Sequence, residues 1–279
     1  MTLPLFQGSA LLLYLLAFAA LYLRVQHIEG GNRQHLIKRL RYGSLAAALA
    51  AVALHGVSLY YQIHLVDPHG GATLLSLSLY AMLSLTAWTM NLIIITVALF
   101  KSIENLGLMS FPFAIMALLL SLFIAEGDKG VILAGRGLYF HILVSLFSYS
   151  LLGIAALQAL LLALQDHHLR KRRLAGIIRL LPPLESMESL LFQLITIGYI
   201  LLSVSLLTGA TYLEDIFKQH LVHKTILSIT AWVVFALLLW GRLQFGWRGR
   251  TAIRWTLVGF ALLMVAYFGS KFVLEVVLA

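Results

Sequence analysis

Cysteine is absent from all 279 residues. That absence excludes disulfides, thiolate metal ligands, a thiol redox relay and covalent haem attachment through a CxxCH motif. Charge is scarce as well: 11% of the residues are charged, against roughly 25% in soluble domains. Acidic residues are the rarer sign, 11 against 20 Lys and Arg. No Pro-rich or Gly/Ser-rich linker divides the chain. No nucleophile and base pairing and no phosphate-cradling glycine loop is present, which argues against hydrolytic or phosphoryl-transfer chemistry.

What is abundant is apolar: 61% of the sequence, with a mean hydropathy of +0.94. Apolar runs recur about every 30 residues, each near the roughly 20 residues a helix needs to cross the hydrocarbon core. Eight spans are expected, at about 5–23, 43–62, 73–99, 108–125, 138–165, 189–209, 224–241 and 255–275. The fold expected is an all-α, polytopic membrane helical bundle, organised as one transmembrane domain over 1–279. The first run is too long for a signal-peptide core and has no basic start, so it reads as a retained span.

Orientation follows from the cations, which concentrate in cytoplasmic loops. Connections 24–42, 100–107, 166–188 and 242–254 hold fifteen of the twenty Lys and Arg. Both termini therefore face outward. The net charge of +9 is then largely a topology signal, and no nucleic-acid partner is expected, since such a partner needs a contiguous basic surface in water. The basic stretch "HHLRKRRLAGIIRLL" suits the anionic inner leaflet, so membrane lipids are the first partners expected.

Ten histidines divide unevenly. His27, His35, His167 and His168 lie in basic inner loops and need no function as solvated side chains. His55, His64, His69, His141, His220 and His223 all fall in the outer half of the membrane or above it. An ionisable side chain in a span is expensive and faces a partner or cavity. A single one is most simply an interhelical hydrogen-bond partner, and that is the expectation for His55. The cluster points further, to neutral imidazoles ligating iron. Transport of divalent cations is the rival, but no span carries an Asp or Glu in its middle. His220 and His223, one turn apart, lie near one face if helical and do not grip opposite sides of one ring system. A pair from different segments, such as His141 and His223, suits that geometry better. Asn91, Gln158 and Gln193 are expected to bond between helices.

The stretch "GLYFHILVSLFSYSLLG" resembles the helix of the cytochrome c assembly superfamily, which includes CcsA, CcmC and HemX-like proteins, where a histidine precedes a Ser-Tyr pair. His141, Ser148 and Tyr149 match it. The segment "LPPLESMESLLFQLITIGYILLSVSLLTGA" is similar to the family run from an acidic lead-in through Gly-Tyr to an outer Gly-Ala. "AWVVFALLLWGR", "GWRGR" and "AYFG" follow in family order, so 138–279 is identified as the cytochrome c assembly-like core. "IENLGL" and "LVHKTILSITAW" resemble the YpjD branch most closely.

The resemblance implies a multi-pass protein of the bacterial inner membrane that binds haem, here haem b, near its outer face. His141 matches the family's first external haem-ligand histidine. "YLEDIFKQHLVHKT" occupies the position of the haem-handling loop. Within it His223 or His220 is the candidate second axial ligand, and Lys224 and Arg136 are candidate partners for the propionates. His55 and His64 are further candidate contacts. Other membrane proteins or cytochrome maturation factors are the partners implied. The sequence also departs from the family: the loop has no tryptophan, Trp240 stands at a family histidine position, and the second external histidine has no counterpart. These departures leave an alternative, a non-haem accessory or regulatory membrane subunit that kept the fold and lost the site.

Overall fold

The computed structural model describes residues 2–27, 34–66, 73–76, 78–101, 103–123, 130–132, 136–171, 181–212 and 222–269. The helices are α1 (Thr2–His27), α2 (Gln34–Ile63), α3 (Leu79–Ala98), α4 (Gly107–Phe123), α5 (Arg136–Arg170), α6 (Leu184–Tyr212), α7 (Val222–Phe245) and α8 (Arg250–Met264). A 3-10 turn, Glu104–Leu106, leads into α4, and a π turn, Val265–Gly269, extends α8. Eight helices among the described residues are long and apolar enough to cross a membrane. The helical membrane architecture expected from the sequence is the one observed.

Two features depart from the sequence reading. Thr73–Ser76, assigned there to the start of the third span, is instead strand β2. It pairs antiparallel with β1 (His64–Val66) and with β3 (Gly130–Ile132) in one small sheet. The helix begins only after Ser78, whose Oγ accepts from the Ala81 N–H at 3.3 Å. That cap satisfies one of the end donors that an uncapped helix start would leave bare. Among the described residues Gln193 forms no bond between helices: it is exposed and donates to Ser189 Oγ one turn back.

The helices gather into two compact units, Met1–Ile132 with His167–Pro182, and Leu133–Asp166 with Pro183–Ala279. The core of the first unit is built from small residues at helical spacing. Ala10, Tyr14, Ala17 and Leu21 form a stripe on α1, buried against Ala48, Ala51 and Val52 of α2 and against Phe111, Ala114, Ala117 and Leu118 of α4. Lipid offers no hydrophobic drive for helices to associate, so close backbone approach between small residues does that work. Polar pairs add to it. Asn91 donates to the Ser110 carbonyl at 3.3 Å and accepts from Ser110 Oγ at 2.8 Å, joining α3 to α4 as expected for Asn91.

At the inner end of the first unit, Glu104 is 6% exposed and meets Arg24 at 3.1 Å and Arg41 at 2.8 Å, both through Oε1. One carboxylate thereby holds α1, α2 and the turn before α4. In the second unit, Gln158 donates to the Met187 carbonyl at 3.0 Å, the expected bond between α5 and α6. Glu188 Oε1 accepts from the Gly249 N–H at 2.6 Å, and its Oε2 lies 3.4 Å from Arg248 Nε. Gly249 has φ +57°, a left-handed conformation that glycine adopts without steric cost. The "GWRGR" turn is thus pinned from α6.

Removing the carboxylate in Glu104→Ala strands the largely buried Arg24 guanidinium and unpairs Arg41, which is 35% exposed. Breaking such a pair costs about 3 kcal/mol or more. The expected outcome is an earlier unfolding midpoint for the purified protein in detergent, with Glu104→Gln intermediate. An unchanged midpoint in Glu104→Ala would mean that the three side chains contribute nothing to the junction.

Candidate functional site

His141 lies in the second turn of α5, at the outer end of the second unit. The adjoining wall is the last part of α6. There, hydroxyl residues recur at three and four positions' spacing, which puts Ser205 and Thr208 on the face turned to His141. His141 Nδ1 is 3.1 Å from Thr208 Oγ1. Thr208 Oγ1 also donates to the backbone, with Val204 O at 2.9 Å and Ser205 O at 3.0 Å. On the other side, Ser145 Oγ is 2.6 Å from the His141 carbonyl, 2.7 Å from Ser205 Oγ and 3.5 Å from His141 Nε2.

Gly209 makes this approach possible. A Cβ on Gly209 would stand 3.1 Å from His141 Cε1, tighter than side chains ordinarily pack, so the ring rests on bare backbone. One turn and more inward the same two helices are clasped again. Ser148 Oγ donates to the Gly198 carbonyl at 2.9 Å, and a Cβ on Gly198 would run into Leu152 at 2.8 Å. Tyr149 turns the other way, toward α8 and its π turn. Its ring lies 5.3 Å from Phe260 and 5.5 Å from Phe268, and its hydroxyl is buried with no hydrogen-bond partner among the described residues. The Ser-Tyr pair read in the sequence therefore divides its labour, the serine toward α6 and the tyrosine toward α8.

His223, in the first turn of α7, is exposed. It shares the outer end of the unit with His141, and among the described residues no hydrogen bond joins the two. Lys224 beside it is half-buried. Arg136 is the first residue of α5. His220 lies outside the described residues, as does His69. His64 sits in strand β1 with Leu75 as its cross-strand partner.

His55 belongs to the first unit and is fully buried there. Its Nε2 is 2.8 Å from Ser84 Oγ and its Nδ1 is 3.4 Å from the Tyr14 hydroxyl, so both ring nitrogens are engaged. Tyr14, His55 and Ser84 come from α1, α2 and α3, and the imidazole serves as their shared polar partner. Among the described residues no group of three or more His, Asp or Glu side chains is placed to hold a metal ion.

Sequence reasoning missed Ser145, Ser205 and Thr208, which surround the candidate ligand. Their signal was available: hydroxyls at 205 and 208 fall on one helical face, level with the Gly-Ala pair that the family resemblance had marked.

The description "Cytochrome C assembly protein" belongs to the family profile that matches residues 76–278. The inner membrane protein YpjD of Escherichia coli (strain K12) is 34% identical over 278 residues, covering 98% of this chain and 99% of that protein. HemX of Brevibacillus brevis is 22% identical over 198 residues, 69% of this chain and 73% of its own length. The cytochrome c biogenesis protein CcsA of Synechococcus sp. (strain CC9605) is 30% identical over 87 residues, 30% of this chain and 29% of its own. No solved structure matches the chain. The family match starts at residue 76, well ahead of the 138–279 segment in which its motifs are readable.

Replacing His55 by Leu deprives Tyr14 and Ser84 of a buried partner, at about 1–3 kcal/mol for each group left unsatisfied. The expected result is lower thermal stability with the ¹⁵N side-chain signals of His141 unmoved. A His55→Leu protein as stable as the wild type would show that the three-helix hydrogen bonds carry no net stabilisation.

Proposed function

The chain belongs to the cytochrome c assembly protein family, and from that membership we propose that it is a multi-pass protein of the bacterial inner membrane that binds and handles haem b at its outer face. The observation that carries this reading is His141. Its Nδ1 is taken by Thr208, while among the described residues the nearest hydrogen-bonding group to its Nε2 is the Ser145 hydroxyl at 3.5 Å. His55, by contrast, has both nitrogens occupied. A neutral imidazole with one nitrogen held and the other open is the arrangement found in metal-ligating histidines.

The residues present fit the group. His141, resting against Gly209, and His223 would hold the iron in this reading. Arg136 and Lys224, one at the start of α5 and the other at the start of α7, stand at the end where propionates would need cations. Haem, when bound, supplies the iron chemistry that a cytochrome needs. The protein's part is to ligate, orient and shield it, and His141 does the first two through its fixed ring. Cytochrome maturation factors and other membrane proteins are the partners this role calls for.

The second unit has two described histidines, His141 and His223, and both lie at the outer end. Trp240 stands near the inner end of α7, where the family places a histidine, and is 53% exposed. This distribution supports a holder of haem at the outer face over a conveyor with ligands at both ends. The same vacancy supports the second reading, an accessory subunit that kept the fold without haem.

The test is the visible absorption spectrum of protein purified in mild detergent, oxidised and reduced, beside His141→Ala, His223→Ala and Gly209→Ala. A low-spin Soret and α-band pattern is expected in the wild type. It should be lost in His141→Ala, converted to high spin in His223→Ala, and weakened in Gly209→Ala, where a methyl crowds the ring. A colourless wild type that takes up no added haem would discard haem binding in favour of the accessory subunit.

A further inference from the structure

Which nitrogen of His141 carries the proton is decided by the hydroxyls around it, because each hydroxyl has one hydrogen to give. Thr208 is helical, and its hydrogen goes to a backbone carbonyl one turn back, Val204 at 2.9 Å or Ser205 at 3.0 Å, as helical threonines commonly donate. With that hydrogen committed, Thr208 Oγ1 faces His141 Nδ1 at 3.1 Å as an acceptor. Nδ1 must then be the protonated nitrogen.

The second side closes in the same way. Ser145 Oγ is 2.6 Å from the His141 carbonyl, which has no hydrogen to offer, so Ser145 donates there. Its contact with Ser205 at 2.7 Å must then run from Ser205 to Ser145. Ser145 has no hydrogen left for Nε2, and the 3.5 Å separation between them is a contact of two acceptors. Among the described residues no hydroxyl hydrogen is left for the Nε2 lone pair.

Resting on the haem reading above, we propose that Thr208 is a positioning residue that holds His141 as its Nδ1–H tautomer, with Nε2 left open to ligate iron because the Ser145 and Ser205 hydrogens are spent elsewhere. Thr208 sets the proton and the ring plane. Ser205 keeps Ser145 turned to the backbone, so that no donor competes with a metal for Nε2. If the Ser145 hydroxyl turned from the carbonyl to Nε2, it would close the site by satisfying that lone pair. Ser145 and Ser205 are thereby assigned opposite effects from what simple polarity suggests. They are polar neighbours whose bonding to each other keeps a third group unbonded.

The experiment uses the full chain in detergent or nanodiscs with ¹⁵N-labelled histidine, His141 being assigned by its absence in His141→Gln. The variants are Thr208→Val, Thr208→Ser and Ser145→Ala, each read first without haem and then with haem added. Without haem, the wild type and Thr208→Ser are expected to show protonated Nδ1 and unprotonated Nε2. Thr208→Val, which keeps the shape and removes the acceptor, should shift His141 toward the Nε2–H form. With haem, Thr208→Val should lose affinity by about 10- to 100-fold, the usual effect of removing a partner behind a ligating histidine. It should also shift the midpoint potential, and Thr208→Ser should restore both. Ser145→Ala leaves Nε2 open and is expected to keep the wild-type tautomer.

A wild type found as Nε2–H, or a Thr208→Val protein with an unchanged tautomer, would overturn the assignment whether or not haem binds. Should Thr208→Val fail to fold, the wild-type tautomer and Ser145→Ala still decide, since an Nε2–H signal in either contradicts the proton count. A wild type with the assigned tautomer that takes up no haem would remove the haem reading and leave the positioning of His141 standing.

Discussion

Everything in this protein answers to one constraint: a polar group inside the hydrocarbon layer must find its partner within the protein. No water is at hand to compensate a bare donor or acceptor, and each one left over costs several kcal/mol. The spans obey this almost throughout. Asn91 and Ser110 exchange two bonds, Gln158 reaches the Met187 carbonyl, and Trp232 Nε1 donates to Ser203 at 2.8 Å. Threonines 86, 89, 196, 230 and 256 each return their hydrogen to the carbonyl four residues earlier. In so strictly balanced an interior, an atom without a partner is informative. Among the described residues the buried Tyr149 hydroxyl is one such atom, and His141 Nε2, with only a distant hydroxyl at 3.5 Å, is held more loosely than either nitrogen of His55.

The glycines show how the constraint is met at close range. Gly209 lets an imidazole lie on the backbone, and Gly198 lets the serine before Tyr149 reach a carbonyl through a gap that any Cβ would fill. Gly241 does the same for the Trp247 ring, which then lies tilted against Trp255 with centroids 5.4 Å apart. A short side chain bonds across a helix pair only where the backbones are near. Glycine and serine therefore occur as facing partners rather than as separate features. The sequence motifs of the family, Ser-Tyr, Gly-Tyr and Gly-Ala, are the two halves of such contacts read from α5 and from α6.

This explains what was legible in the sequence and what was not. Helix number and placement follow from hydropathy, a sum over some twenty residues that survives local errors. The β2 strand was hidden inside that sum. Thr73–Ser76 is as apolar as the span it precedes, and only the Ser78 cap marks the boundary. Gln193 was read as bridging helices because a polar residue in a span must bond somewhere. Periodicity alone does not say whether the partner is one turn away or on another helix. His141 was legible through its motif. Its surroundings were not, since Ser145, Ser205 and Thr208 are individually ordinary and acquire meaning only when α5 and α6 are laid together.

The first and second units use histidine in two physically distinct ways, and the difference lies in the donors as well as in burial, His55 being fully buried and His141 partly so. Tyr14 and Ser84 flank His55 with hydroxyls free to orient toward the ring, so either tautomer is satisfied and the imidazole becomes a fully bonded strut. Around His141 the hydroxyls are already committed to main-chain carbonyls and to each other, so the ring is held on one side only. A histidine bonded on both sides contributes to packing, and a histidine bonded on one side retains an unspent lone pair. Moving helical threonine and serine hydrogens onto the backbone is what converts the first arrangement into the second. The helix geometry of α5 and α6, more than the imidazole itself, thereby determines which histidine can act as a ligand.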